Sequence, residues 1–205
     1  MAEVTTTRSS SGLRRTTNPA ALDAIVFGRG PGSFTGLRTA CAVAQGLAYG
    51  ASVPVLPVDT LLAVAQNART RHGANRVLAL LDARMNEIYH AAYAWQPDGW
   101  HPQGEMSVTA PEALHLAAQQ PVPTAEPAPW LLAGNVFATY GDRLPTAMAD
   151  LRRVEAWPTA NALLDLAPTL LADGQALDAA QALPLYIRDK VAQTTVERLA
   201  AGGVR

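Results

Sequence analysis

The chain has 205 residues, 49% of them apolar and 16% charged, with a formal net charge of -1. That length and apolar content suit one large domain or two small ones with a substantial core, and the charge gives no electrostatic footprint for bare nucleic acid. A solitary Cys41 excludes an internal disulfide and argues against a thiolate metal site, and no apolar run is long enough for a membrane span.

Residues 1–20 are rich in Ser, Thr and Arg, with Glu3 the only acid. A transit peptide has that composition, but without apolar periodicity a disordered leader is the simpler expectation. Leu22 to Phe27 reads as a buried strand ended by glycine. Ser33 or Thr35 can cap a helix to about Tyr49, stopped by Gly50. Val53 to Val58 is a second strand, and Asp59 or Thr60 caps a helix to about Arg71. Strand, helix, strand, helix suggests a parallel sheet.

Arg76 to Leu81 reads as a strand, and Glu87 to Trp95 alternates before the turn Pro97-Asp98-Gly99. A further strand is expected over Gly104 to Val108, a helix over Pro111 to Gln120, and a proline-rich loop over Pro121 to Pro129. Trp130 to Ala133 is a strand, Gly134-Asn135 a turn, and a short helix runs to about Arg143. Arg153 to Ala156 reads as a strand, Thr159 to Ala172 as a helix ended by Gly174, and Leu183 to Val191 as extended.

The block from Asp23 to the second helix is echoed by the block from Trp130 to the last helix. Each has a strand ending in glycine, a helix, a strand and a helix bearing Leu-Leu. Three strands and a helix precede the second copy, and only residues 1–20 precede the first. A duplicated fold with an incomplete first half would have this pattern; chance likeness of two parallel-sheet blocks is the alternative.

The stretch Phe27-Gly-Arg-Gly-Pro-Gly-Ser-Phe-Thr-Gly-Leu-Arg38 has the position of a phosphate loop but not its chemistry. Gly36 is followed by Leu37 and Arg38 where the P-loop has Lys and Ser/Thr, and Ser33 stands where the third glycine of a dinucleotide fingerprint belongs. Gly28, Gly30, Gly32, Ser33 and Gly36 are therefore expected to be structural, shaping a tight turn, with Ser33 capping the helix. Ser33 also lacks the flanking glycines of a nucleophile elbow. His72, His90, His101 and His115 form no metal motif. Asp82 and Glu87 flank a turn and could hold a metal, but a turn cap and an exposed strand position is the plainer account. No catalytic, cofactor-binding or metal-binding residue is assigned.

On a helical wheel, Gly36, Leu37, Ala40, Val43, Ala44, Leu47 and Ala48 share a broad face able to cover a sheet. The other side holds Phe34, Arg38, Cys41, Ala42, Gln45 and Tyr49, and it too is poor in charge. These six residues are the expected partner interface, because a helix apolar almost all round is normally covered on both sides.

The glycine-rich stretch resembles the signature of the TsaB (YeaZ) family, the glycoprotease-like proteins of tRNA threonylcarbamoyladenosine (t6A) biosynthesis. Leu81-Asp-Ala-Arg-Met-Asn-Glu-Ile-Tyr89, Ala133-Gly-Asn and Leu183-Pro-Leu-Tyr-Ile-Arg-Asp-Lys-Val-Ala192 support the resemblance, which covers about residues 22 to 197. It implies an α/β, actin-like fold of two ribonuclease-H-like halves. It implies a non-catalytic cytoplasmic subunit that pairs with a TsaD-type catalytic subunit and works with a TsaE-type ATPase on adenosine 37 of tRNA. A homodimer is a further possibility of the resemblance; tRNA would be met only indirectly, and no membrane is involved. No cofactor is expected: ATP is used by the complex rather than bound by this chain alone.

The resemblance also implies that a strand, a hairpin and a helix are missing before Ala24, leaving an unprotected sheet edge. The expected division is a leader at 1–20, a remnant first half at 21–74, a second half at 75–182 and an extended tail at 183–205. A glycoprotease-like hydrolase and an actin-like nucleotide-binding protein are the alternative functions.

Overall fold

The computed structural model describes residues 22–116 and 129–188, together with the backbone of residues 4–7. Two sheets carry the fold. The first has the order β1-β2-β3, from Val4–Thr7, Ala24–Gly30 and Val55–Asp59. The second has β4 (Arg76–Arg84), β5 (Glu87–Gln96), β6 (Gly99–Pro102), β8 (Leu131–Gly134) and β9 (Arg152–Glu155) in the order β6-β5-β4-β8-β9, with β7 (Ser107–Thr109) also paired to β5. The helices are α1 (Phe34–Ala51), α2 (Thr60–His72), α3 (Phe137–Tyr140) and α4 (Ala160–Ala172). Among the described residues, no helix is long and apolar enough to cross a membrane.

The central strands β2 and β4 are apolar on both faces, and both of those faces are covered. On β2, Ala24 and Val26 pack with α4, while Ile25 and Phe27 pack with α1. On β4, Val77, Ala79, Leu81 and Ala83 face α2, while Leu78 and Leu80 face the opposite core with Val136, Tyr140 and Met148. This alternation is the two-residue period of a strand. The layers therefore run α1, first sheet, α2 with α4, second sheet, and the short helical segments at 137–148.

The middle layer is shared. Leu61, Val64, Ala65 and Ala68 of α2 pack on the second sheet, and Ala63 packs toward the first. Ala162, Leu163, Leu166 and Ala167 of α4 pack on the first sheet. Polar groups join the two helices and tie α2 to the second sheet. Thr70 Oγ1 donates to Asp165 at 3.0 Å and Asn67 Nδ2 to Thr159 Oγ1 at 3.5 Å, while Trp100 Nε1 of β6 donates to Gln66 Oε1 of α2 at 2.8 Å. The pairs of Asn67 and Gln66 are part-buried and fix orientation, since a slipped register would leave them unsatisfied.

The duplication is visible in the topology: β2 and β3 pair in parallel, as do β8 and β9. Several expectations need correction. Val4–Thr7 is a strand, antiparallel to β2 with Val4 opposite Phe27, so this part of the leader is ordered and covers part of an edge expected to be bare. The rest of residues 1–20 lies outside the described residues. The helix expected over Pro111 to Gln120 is a 3-10 turn at Pro111–Ala113, and buried Leu114 then draws the chain into an extended path; residues 117–120 lie outside the described residues, as does most of the loop at 121–129. The strand expected over Gly104 to Val108 is shorter and later: β7 covers only Ser107–Thr109, and a separate strand, β6, forms before it at Gly99–Pro102.

Candidate partner interface

The glycine-rich turn follows from β2 into α1. Gly30 has φ 131°, the left-handed region that side chains avoid, and the Gly30–Pro31 peptide is cis. Arg29 Nε pairs with Asp59 at 2.6 Å, tying the ends of β2 and β3. Ser33 occupies the N-cap position of α1, but its side chain makes no capping hydrogen bond; its carbonyl accepts from Leu37 N at 2.8 Å. The capping expected of the Ser33 hydroxyl is therefore not made. A Cβ at Gly28 would lie 3.6 Å from Thr60 Oγ1, at Gly36 3.5 Å from Ser33 Cβ and at Gly32 3.5 Å from the Leu37 side chain, all ordinary contacts, so Gly30 is the position in this turn where the geometry itself demands glycine.

α1 buries Leu37, Ala40, Cys41, Ala44 and Ala48 against the first sheet. The inward face is therefore rotated from the one expected. Val43 and Leu47, assigned to the core, are 45% and 49% exposed, and Cys41, assigned to the outside, is 5% exposed. The Cys41 Sγ donates to Ala182 O at 3.0 Å, and burial raises its thiol pKa. Gln45 is half-buried and donates to the same carbonyl at 3.1 Å. Phe34, Arg38, Ala42 and Tyr49 are exposed, as expected. Four of the six proposed interface residues thus lie open, one is half-covered and one is inside.

The open surface extends beyond the helix. Tyr186, 45% exposed, tilts its ring against Phe34 with centroids 5.4 Å apart and accepts a hydrogen bond from Arg38 Nε at 3.0 Å. The Arg38 guanidinium lies 3.8 Å from the Phe34 ring centroid. Leu183 is 70% exposed. Val43, Leu47, Leu183 and Tyr186 escaped the sequence reading. For the first two, the outward and inward sets of α1 differ little in polarity; for the others, no local pattern brings the tail to α1. A groove of about 1000 Å³ lies beside the C-terminal half of α1, lined by Gln45, Tyr49, Val53, Pro54 and Asp178 among others.

The remaining candidates do not assemble. Asp82 accepts from Arg84 N at 2.7 Å and from the Tyr140 hydroxyl at 3.2 Å, and it pairs with Arg84. Glu87 pairs instead with Arg188. Each carboxylate thus has its own arginine. His101 pairs with Asp98 at 2.9 Å, His72 ends α2, and burial, with a smaller contribution from His115, lowers the pKa of His90. Among the described residues, no group of three His, Cys, Asp or Glu side chains is placed to hold a metal ion.

An Escherichia coli (strain K12) protein named tRNA threonylcarbamoyladenosine biosynthesis protein TsaB is 38% identical over 173 residues, covering 83% of this chain and 73% of that protein. The chain belongs to the TsaB family. A TsaB of the same name from Haemophilus influenzae is 57% identical over 68 residues, 33% of this chain and 29% of its own. The family model described as TsaD, tRNA N6-adenosine threonylcarbamoyltransferase, matches residues 14–196. The solved structure of YeaZ from Pseudomonas aeruginosa is similar with a TM-score of 0.70 and 40% identity, over 82% of this chain and 75% of that one. With these relatives, the two-sheet layering is the actin-like, duplicated ribonuclease-H-like fold of TsaB, its first half holding three strands against six in the second.

Proposed function

We propose that this chain is the accessory, non-catalytic subunit of a tRNA-modifying assembly, docking through the outer face of α1 onto a TsaD-type catalytic subunit during t6A formation. The observation that carries the reading is the placement of exposed large apolar side chains. Phe34, Val43, Leu47, Tyr49, Leu183 and Tyr186 all lie on α1 or on the segment packed against it, and each is at least 45% exposed. A soluble monomer rarely leaves such a patch open, and aromatic residues and Arg are the side chains enriched at the centre of protein interfaces. The TsaE-type ATPase and tRNA are engaged through that subunit, ATP is used by the assembly, and a second copy of this chain competes for the same face. The cytoplasm is where such an assembly works. Co-purification with a TsaD-type subunit tests the reading. Wild-type chain is expected to associate and Ala42→Arg to lose association while keeping its fold. A wild-type chain that neither associates nor supports tRNA modification in reconstitution overturns it.

A further inference from the structure

Residues 182–188 have no regular secondary structure and cross the first half as a strap. Ala182 O accepts from Cys41 and Gln45 of α1. Leu185 N donates to Arg29 O at 2.7 Å, and Leu185 O lies so close to Gly30 that a Cβ there would overlap it. Tyr186 meets Phe34 and Arg38. The strap then reaches the second sheet. Arg188, its side chain 15% exposed, donates to Ala83 O at 3.2 Å and pairs with Glu87 at the start of β5.

The duplication shows what the strap replaces. Gly134 ends β8 as Gly30 ends β2, with φ of 156° and 131°. The backbone pressed against Gly134 is Leu80 of β4, the parallel neighbour of β8; the backbone pressed against Gly30 is Leu185. The strap gives the first half the main-chain packing that β4 gives the second.

We propose that the strap stands in for that strand end, and that its latch of Arg188 on Glu87 and Ala83 holds the docking surface of α1 in shape. The state of the second sheet is thereby transmitted to Phe34 and Arg38. This rests on α1 being the docking face. The latch is suited to the task because a fork of guanidinium donors can meet a carboxylate and a carbonyl together, which a point charge does less well.

The test uses the full chain carrying Arg188→Ala, with Arg188→Lys as the milder variant should the first fail to fold. Hydrogen exchange is followed in peptides spanning 182–188, beside affinity for a TsaD-type subunit. Strap exchange is expected to rise about tenfold in Arg188→Ala and less in Arg188→Lys, with β8 and α4, which the latch does not touch, unchanged. Affinity for the partner falls in the same order, and Glu87→Arg combined with Arg188→Glu restores both only in part, because it remakes the ion pair but leaves Ala83 O without its donor. Unchanged strap exchange overturns the latch. So does unchanged partner affinity in the latch variants when Ala42→Arg abolishes binding. A wild-type chain that binds no partner at all sinks the docking reading instead, and the latch is then judged on exchange and its rescue by the charge swap.

Discussion

Cys41 and Ala42 are neighbours on α1, and the same substitution at each separates core from surface. Cys41 packs among Ile25, Phe27, Ala44, Val55 and Ala182 and is 5% exposed. An arginine there must bury an unpaired guanidinium or lift the strap and helix from the sheet. An uncompensated buried charge costs about 3–5 kcal/mol. In a chain of this size each kcal/mol moves Tm by about 2–4 °C, so Cys41→Arg is expected to lower Tm by about 6–20 °C. Ala42 is exposed, and substitutions at such positions stay within about 0.5 kcal/mol, or about 2 °C. Differential scanning calorimetry of the two variants, with near-UV circular dichroism as a check on packing, measures the contrast. Cys41→Arg melting within about 2 °C of wild type would refute the orientation of α1 and place the thiol outside.

Three further outcomes follow from packing. Gly134→Ala is expected to destabilise by at least about 2 kcal/mol, because the new Cβ overlaps Leu80 O at a strained φ, whereas Gly174→Ala, with open space around it, costs about 1 kcal/mol; urea midpoints compare them. Thr159→Ala is expected to cost about 1 kcal/mol in the same assay, since Thr159 Oγ1 accepts from Ala162 N and caps α4. Burial first, and His115 second, hold the His90 pKa below its ordinary 6.5. The unfolded chain therefore binds this proton more tightly than the folded one. Stability from this group is full above that value and is lost as pH falls through it toward the lower folded pKa. Melting followed from pH 7.5 to 5.5, with His90→Gln alongside, is expected to show a shallower acid loss in the variant; equal slopes would remove His90 as the cause.

The sequence spoke most clearly where a single physical rule governed an element. The parallel strands could be read from short apolar runs ended by glycine, and α2 and α4 from their caps at Asp59–Thr60 and Thr159, although only Thr159 caps through its side chain. Val4–Thr7 is rich in β-branched residues suited to a strand, yet the polar composition around it argued for a leader. α1 was legible as a helix but not in its rotation, because Ala42, Val43 and Leu47 are as compatible with burial as Cys41, Ala44 and Ala48. The segment after Pro111 was governed by a tertiary contact, the burial of Leu114, which local helix propensity does not register. The strap was beyond reach for a similar reason: its hydrogen bonds join residues more than a hundred positions apart. Leu183 and Tyr186, its share of the docking surface, lay hidden with it.

The shared middle layer has a consequence for dissecting the molecule. A cut between residues 74 and 75 would give α2 to one fragment and most of the sheet it covers to the other, while α4 would leave with the second fragment and strip the first sheet. Even Leu177, beyond α4, returns to exchange backbone hydrogen bonds with Val55 at 2.9 and 2.8 Å. Like the two parts of a dovetail joint, the pieces would each be misshapen alone and complementary when mixed, so expressing them together is the way to recover the fold from a split gene.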